Sequence, residues 1–150
     1  MTPGLTTRKA TEYIAIHCSA SKPDIKTDAK VIDRWHRQRG FLMIGYHYVI
    51  KTDGTVEKGR DEDSVGAHVT GFNSVSVAIC MVGGVTENGP TGKAVNNFSD
   101  EQFAALTLLV ADLKEKYPVA IVQGHRDFPN VHKDCPCWDV KPWAAKTFIK

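Results

Sequence analysis

The sequence predicts a single α/β (α+β) domain, in which a mixed central β-sheet is flanked by helices. Short apolar runs and helical patterns alternate along the chain in the order strand, helix, hairpin, strand, helix, strand, helix. The length of 150 residues suits one domain, and no repeat, low-complexity tract or linker divides the chain. We therefore expect one catalytic domain over residues 13–150, preceded by a flexible arm over residues 1–12.

Three apolar runs and one hairpin predict the strands of this sheet. Residues 13–16 form a short first strand, and residues 75–82 are the most apolar run, which favours a central position. Residues 119–122 predict a buried strand that runs into a loop. Alternating residues around an Asp-Gly pair at positions 53–54 predict a hairpin, since this dipeptide is typical of tight turns.

Helix-capping residues indicate where three helices begin or end. Thr27 is a plausible N-cap for a first helix, and Gly40 suits the position just after its end. Residues 99–102 read Ser-Asp-Glu-Gln, a capping box that opens a longer helix ended by Pro118. Asp139 is placed to cap a short C-terminal helix.

Composition and charge exclude several functional classes. A formal net charge of +2 gives no case for a dedicated nucleic-acid binder. No apolar stretch is long enough to insert into a membrane, and the polar N-terminus does not have the pattern of a secretory signal peptide. We therefore expect synthesis in a cytoplasm, where the four cysteines stay reduced.

Three candidate metal ligands lie at or just past the ends of apolar strands. These residues are His17, His125 and Cys135, whose imidazole and thiol groups are typical zinc ligands. Three protein ligands with a fourth position left to water are typical of catalytic zinc. The alternative is that no metal binds, so that His17 is an ordinary histidine at a strand end and Cys135 is a buried thiol. Spacing also leaves open four rival ligands: His47, His68, His132 and Cys137.

Three other side chains are candidates for the same region. Tyr46 begins the predicted hairpin and can reach a pocket rim, although it can equally be an aromatic residue at the core edge. Lys133 lies in the loop after the last strand, where it is either functional or simply solvated. His36 lies in the last turns of the first helix, and we expect it to be partly exposed.

Seven short motifs between about residues 13 and 143 occur in the same order as in one family of enzymes. They are His17-Cys18-Ser19-Ala20, Gly45-Tyr46-His47-Tyr48, Asp53-Gly54-Thr55, Gly59-Arg60-Asp61, Gly66-Ala67-His68, Val82-Gly83-Gly84 and His125 followed by Lys133-x-Cys135-Pro136. With them the chain resembles the zinc-dependent N-acetylmuramoyl-L-alanine amidases, especially small bacteriophage endolysins of the T7 lysozyme type. That resemblance also implies the fold of the peptidoglycan recognition proteins, with the metal in a surface cleft.

Carried over residue by residue, the resemblance implies roles for individual side chains. It makes His17, His125 and Cys135 the ligands of one Zn²⁺ per chain. It makes Tyr46 and Lys133 catalytic residues that do not bind the metal.

Two further expectations follow from the same resemblance. His68 matches a family histidine that we place at the wall of the substrate cleft. The loop between residues 125 and 133 is longer than in the T7-type protein, so that His132 and Cys137 remain to be tested as ligands.

The resemblance also implies an activity and a setting. We expect a phage or prophage endolysin that hydrolyses the amide between N-acetylmuramic acid and L-alanine of peptidoglycan through a zinc-activated water. Such an enzyme is a monomer stored in the host cytoplasm and released by a separate membrane-permeabilising protein. The alternatives are a non-catalytic peptidoglycan-binding module and an amidase that also binds a phage RNA polymerase.

Overall fold

A computed structural model describes residues 2–148 and shows a five-stranded sheet. Its strands are β1 (Tyr13–Cys18), β2 (Tyr48–Ile50), β3 (Val56–Lys58), β4 (Ser76–Met81) and β5 (Ile121–Gly124). Their order in the sheet is β3-β2-β4-β1-β5. Strand β3 pairs with β2 in antiparallel orientation, whereas the other neighbours are parallel, so the predicted mixed sheet with a central β4 is confirmed.

Three helices cover the two faces of the sheet: α1 (Ala29–Gln38), α2 (Asp100–Lys116) and α3 (Val140–Thr147). Helices α2 and α3 pack on one face, where Leu106 and Val140 join the largest apolar cluster. Helix α1 packs on the other face, where Ile32 contacts the side of the sheet that carries Cys80. Within residues 2–148, no helix is both long and apolar enough to cross a membrane.

The alternation of side chains along β1 decides the position of His17. Successive residues of a strand point to opposite faces. Ile14 and Ile16 belong to the cluster under α2, whereas Ala15 packs on the opposite face. His17 is two residues after Ala15, so its side chain points to the same face of the sheet, the one on which α1 packs. The strand continues to Cys18, so His17 lies within it rather than beyond its end.

Local signals located the helices well, with one cap misplaced. The capping box of Ser99 and Gln102 is present, and Gly40 follows α1 with a φ of 93°. The N-cap of α1 is Asp28 rather than Thr27, because the Asp28 carboxylate accepts a hydrogen bond from the Val31 backbone N–H at 3.0 Å. A one-residue shift brings this carboxylate, a good capping group, within reach of the helix.

The last strand differs from its prediction. It was expected as a buried run over residues 119–122, but β5 begins two residues later and lies at the edge of the sheet. Val119 is 84% exposed and Ile121 is 52% exposed. An apolar run is ambiguous because the same residues suit an interior strand and the outer side of an edge strand.

The N-terminal segment was expected to be a flexible arm over residues 1–12. In the structure Thr7 pairs with Ser64 in an isolated β-bridge. The Arg8 side chain donates from Nε to the Glu62 carbonyl at 2.8 Å. These contacts hold the second half of the segment against the domain, while Met1 lies outside the described residues. The domain boundary at residue 13 stays a prediction.

The carboxylate of Glu62 links strand β2 to the C-terminal end of α2 near this segment. It accepts hydrogen bonds from the Tyr48 and Tyr117 hydroxyls at 2.5 Å and from the Lys116 ammonium at 2.7 Å. Burial alone would raise the pKa of Glu62, but these donors outweigh it and lower the pKa to about 2. The ionised form is therefore stabilised by folding.

We expect Glu62→Gln to lower the free energy of unfolding by about 1–2 kcal/mol at pH 7. The folded-state pKa is depressed, so this contribution is complete above the unfolded pKa of about 4.3 and shrinks as the pH falls towards 2. Urea unfolding with a metal chelator at pH 7 and pH 3 measures the difference. Glu115→Gln, an exposed change on α2, is the control; an equal effect of both variants would contradict the role of Glu62.

Candidate metal centre

Three separate elements supply the side chains of the candidate metal site. His17 lies near the end of β1, and His125 begins the short 3₁₀ helix His125–Asp127 that directly follows β5. Cys135 lies in the loop before α3. Because β1 and β5 are parallel neighbours, their carboxyl ends meet at one edge of the sheet, where ligand sites of α/β folds form.

The structure brings the three predicted ligands together. The ligand atoms of His17, His125 and Cys135 all lie within 4.8 Å of one another. His17 Nδ1 is 3.9 Å from Cys135 Sγ, and the two imidazole centroids are 4.6 Å apart. Two ligands of a tetrahedral zinc with the usual bond lengths are about 3.6 Å apart, so the separations in the group exceed this spacing by at most about 1.2 Å.

Backbone contacts bring the end of β5 close to the loop that carries Cys135. The Arg126 N–H donates to the Cys135 carbonyl at 2.9 Å. A Cβ atom on Gly124 would lie 2.8 Å from Pro136 Cδ, closer than such atoms normally approach. A side chain at position 124 would therefore push the cysteine loop away from His125.

The electrostatic environment favours metal binding over protonation of the imidazoles. Burial, followed by the neighbouring histidines, holds the pKa of His17 well below its usual value. Burial and the Lys133 ammonium lower the pKa of His125 to about 4. Both rings are therefore neutral at pH 7, and each has one ring nitrogen with a lone pair. These nitrogens and the Cys135 sulfur are a donor set that fits zinc.

A backbone amide also points at the cysteine sulfur. The Cys18 N–H donates to Cys135 Sγ at 3.2 Å. An N–H donor of this kind can orient a sulfur ligand and support the negative charge of a metal-bound sulfur. No sequence signal marks this donor, because every residue except proline has a backbone N–H.

A branched cleft adjoins the candidate ligands, two of which, His125 and Cys135, lie in its walls. Cavities of about 250, 290 and 530 Å³ all include His125 and Lys133 in their walls. Tyr46 lines the two smaller cavities, and His68 lines the first and the largest. Lys133 is exposed, and none of the ion pairs found within residues 2–148 involves it. Its ammonium group is thus available to a bound molecule.

The structure places Tyr46 beside the candidate ligands. Its ring centroid is 5.0 Å from that of His17 and 5.2 Å from that of His36. Burial raises the pKa of the Tyr46 hydroxyl well above its usual value. The phenol therefore keeps its proton at neutral pH and can donate a hydrogen bond.

The rival ligands have other surroundings. His47 Nδ1 accepts the Ala78 N–H at 2.9 Å, and His47 Nε2 lies 2.7 Å from the Ser64 carbonyl. His132 is exposed, and Cys137 Sγ lies 4.0 Å from Cys18 Sγ. Between residues 2 and 148, the only group that meets the geometry of a three-ligand site is that of His17, His125 and Cys135.

His36 was expected to be partly exposed, but it is only 6% exposed. Its Nδ1 accepts the Gly45 N–H at 2.9 Å, and its ring contacts Tyr46. This contact ties α1 to the segment that carries Tyr46. The sequence signal was misleading because a histidine near a helix C-terminus is usually solvated.

A family profile described as N-acetylmuramoyl-L-alanine amidase matches residues 7–138. The chain belongs to the N-acetylmuramoyl-L-alanine amidase family. The match spans all of the candidate ligands and all five strands of the sheet.

Two bacteriophage endolysins are similar to the chain over most of its length. The endolysin of Klebsiella phage KP32 is 43% identical over 141 residues, covering 94% of this chain and 90% of the relative. The endolysin of Escherichia phage T7 is 41% identical over 139 residues, covering 93% and 89% respectively. The predicted resemblance is therefore confirmed.

A solved amidase structure supports the fold independently. The N-acetylmuramoyl-L-alanine amidase LysC from Clostridium intestinale superposes with a TM-score of 0.79 at 29% sequence identity. The superposition covers 99% of this chain and 92% of that structure. The predicted mixed sheet with flanking helices is thus the fold of an amidase.

Proposed function

We propose that this protein is a bacteriophage endolysin that hydrolyses the amide bond between N-acetylmuramic acid and L-alanine in peptidoglycan. Its family and its endolysin relatives support this activity and substrate. The observation that carries the proposal is the convergence of three side chains with the chemistry of zinc ligands beside an open cleft. An open cleft suits a polymeric substrate whose scissile amide joins a glycan strand to a peptide stem.

We infer that His17, His125 and Cys135 hold one Zn²⁺. Neutral imidazoles and a thiolate suit this ion, and three ligands leave a fourth position open. When bound, zinc acidifies water and polarises a carbonyl, the two requirements of amide hydrolysis at neutral pH. One thiolate with two neutral rings leaves the site with about one positive charge, which keeps it electrophilic.

The two non-ligand residues have complementary roles in the proposal. The Lys133 ammonium reaches the cleft beside His125 and is suited to stabilise the oxyanion that develops on the scissile carbonyl. Tyr46 keeps its proton and is suited to orient the attacking water or the substrate by donating a hydrogen bond.

The alternative of a non-catalytic peptidoglycan-binding module makes different demands on the site. A protein that binds peptidoglycan without cleaving it does not need two imidazoles and a thiol that converge on one point. The Cys135 sulfur lies among the histidines and accepts a backbone N–H, an arrangement that suits a metal-binding thiolate. This favours the hydrolase.

Metal content and product release together test the proposal. We expect about one zinc per chain by mass spectrometry of purified protein, and new L-alanine N-termini when the protein digests isolated cell walls. A strong chelator should stop digestion, and added Zn²⁺ should restore it. Binding to cell walls without new N-termini would instead support the binding module.

Tyr46→Phe is expected to keep zinc and the fold but to reduce the turnover number by about 100-fold, the scale of a lost proton-transfer or positioning contact. The substitution removes only the hydroxyl, so the ring contacts with His17 and His36 remain. Zinc content and the rate of release of N-termini measure the two effects. A wild-type rate would show that Tyr46 serves packing alone.

The setting expected from the resemblance remains part of the proposal. Release from the host cytoplasm by a separate membrane-permeabilising protein would be tested by co-expression with and without such a protein. The monomeric state and binding to a phage RNA polymerase also stay predictions. Sedimentation and a pull-down with the cognate polymerase address these two points.

A further inference from the structure

His17 contacts a second histidine through the ring nitrogen that faces away from the cysteine. His17 Nε2 lies 2.9 Å from His68 Nδ1, and the two rings are nearly perpendicular, with an interplanar angle of 85°. The other nitrogen of His17, Nδ1, is the one that lies 3.9 Å from Cys135 Sγ. The two nitrogens of one imidazole therefore face different partners.

A metal at this site determines where the hydrogen of His17 must be. A neutral imidazole carries one N–H and one lone pair. Binding through Nδ1 requires the lone pair there, so the hydrogen is on Nε2 and is donated to His68 Nδ1. The opposite arrangement, in which His68 donates, would place hydrogen on His17 Nδ1 and block it as a ligand.

The surroundings of His68 hold its ring in this position. The backbone N–H groups of His68 and Val69 donate to Asn73 Oδ1 at 2.8 and 2.9 Å. A Cβ on Gly66 would lie 2.7 Å from His68 Cδ2, so the ring packs directly against that backbone. Among the described residues, the buried Nε2 of His68 has no hydrogen-bond partner. The hydrogen bond with His17 is thus the polar contact that the His68 ring makes among the described residues.

We propose that His68 is a positioning residue that accepts the Nε2 hydrogen of His17 and so keeps Nδ1 free to bind the metal. This inference rests on the proposed function, because it concerns the zinc site of that function. It differs from the expectation of a substrate-cleft wall: His68 does line two cavities, but its polar contact is directed at a ligand. Outer partners of this kind orient ligands and raise their affinity for the metal.

A pair of substitutions separates the hydrogen bond from packing. His68→Leu removes the acceptor, and we expect the zinc dissociation constant, from competition with a chelator, to rise 10- to 100-fold. His68→Asn places an amide oxygen near the Nδ1 position and should restore most of the affinity. His132→Leu, at an exposed position outside the cluster, should keep the wild-type value. Equal affinity of His68→Leu and wild type would overturn the proposal.

The tautomer of His17 gives a readout that does not depend on zinc or on a folded leucine variant. Nitrogen-15 NMR of the metal-free wild type should show the hydrogen of His17 on Nε2. Hydrogen on Nδ1 would refute the positioning role. If the wild type binds no zinc, the proposed metal-dependent function fails, and the tautomer still decides whether His68 accepts from His17.

Discussion

Cys135→Ser is expected to lower zinc affinity by more than about 100-fold and to abolish peptidoglycan hydrolysis. Loss of an outer partner already costs up to about 100-fold, and here a direct ligand is lost. A serine hydroxyl stays protonated at neutral pH, so it cannot replace the thiolate that completes the site with His17 and His125. Competition with a chelator and the release of L-alanine N-termini measure the two losses.

Cys137→Ser is the matched control for this change. Cys137 is two residues away, and its sulfur faces Cys18 at 4.0 Å rather than the histidine cluster. We expect this variant to keep zinc and activity. Retention of zinc by Cys135→Ser together with its loss in Cys137→Ser would transfer the ligand role to Cys137 and refute the proposed site.

Lys133→Ala is expected to reduce the turnover number by about 100- to 1,000-fold, equivalent to about 2.7–4 kcal/mol of transition-state stabilisation. The exposed ammonium lines every branch of the cleft, yet it is not among the clustered ligands. Zinc content and thermal unfolding should therefore stay at wild-type values. Steady-state hydrolysis of a soluble muropeptide separates the turnover number from substrate binding.

Lys58→Ala removes one positive charge from the exposed edge strand β3, away from the walls of the three cavities, and serves as the control. An equal loss of activity in both variants would point to general attraction of an anionic wall. Unchanged activity of Lys133→Ala would remove this lysine from the mechanism.

The elements with strong local signals were predictable. The capping box at Ser99, the glycine at the end of α1 and the apolar run of β4 all appear where their residue patterns place them. The two helix signals depend on contacts within a few residues, so a sequence window contains their whole cause. The apolar character of β4 is likewise a property of its own residues, although its pairing partners are distant. The position of β5 was less predictable, because whether an apolar run is central or at an edge depends on strands far away in sequence.

The side chains at the centre of the site were recognisable by type, and their motifs placed them in a family. The groups that contact these side chains could not be recognised from the sequence. The Cys18 N–H that points at Cys135 and the bond between His17 and His68 depend on segments that are distant in the chain. The burial of His36 depends on how the segment that carries Gly45 and Tyr46 folds back on α1.

The sequence by itself determined the fold class, the family and three candidate ligands, because strand and helix periodicity and motif order are written along the chain. Only the tertiary structure decided that these ligands meet and which histidines remain outside the group. The parallel pairing of β1 with β5 and the close approach of Gly124 to Pro136 set those distances. The pairing of β1 with β5 and the approach of His17 to Cys135 join residues more than 100 positions apart, and local patterns carry no information about them.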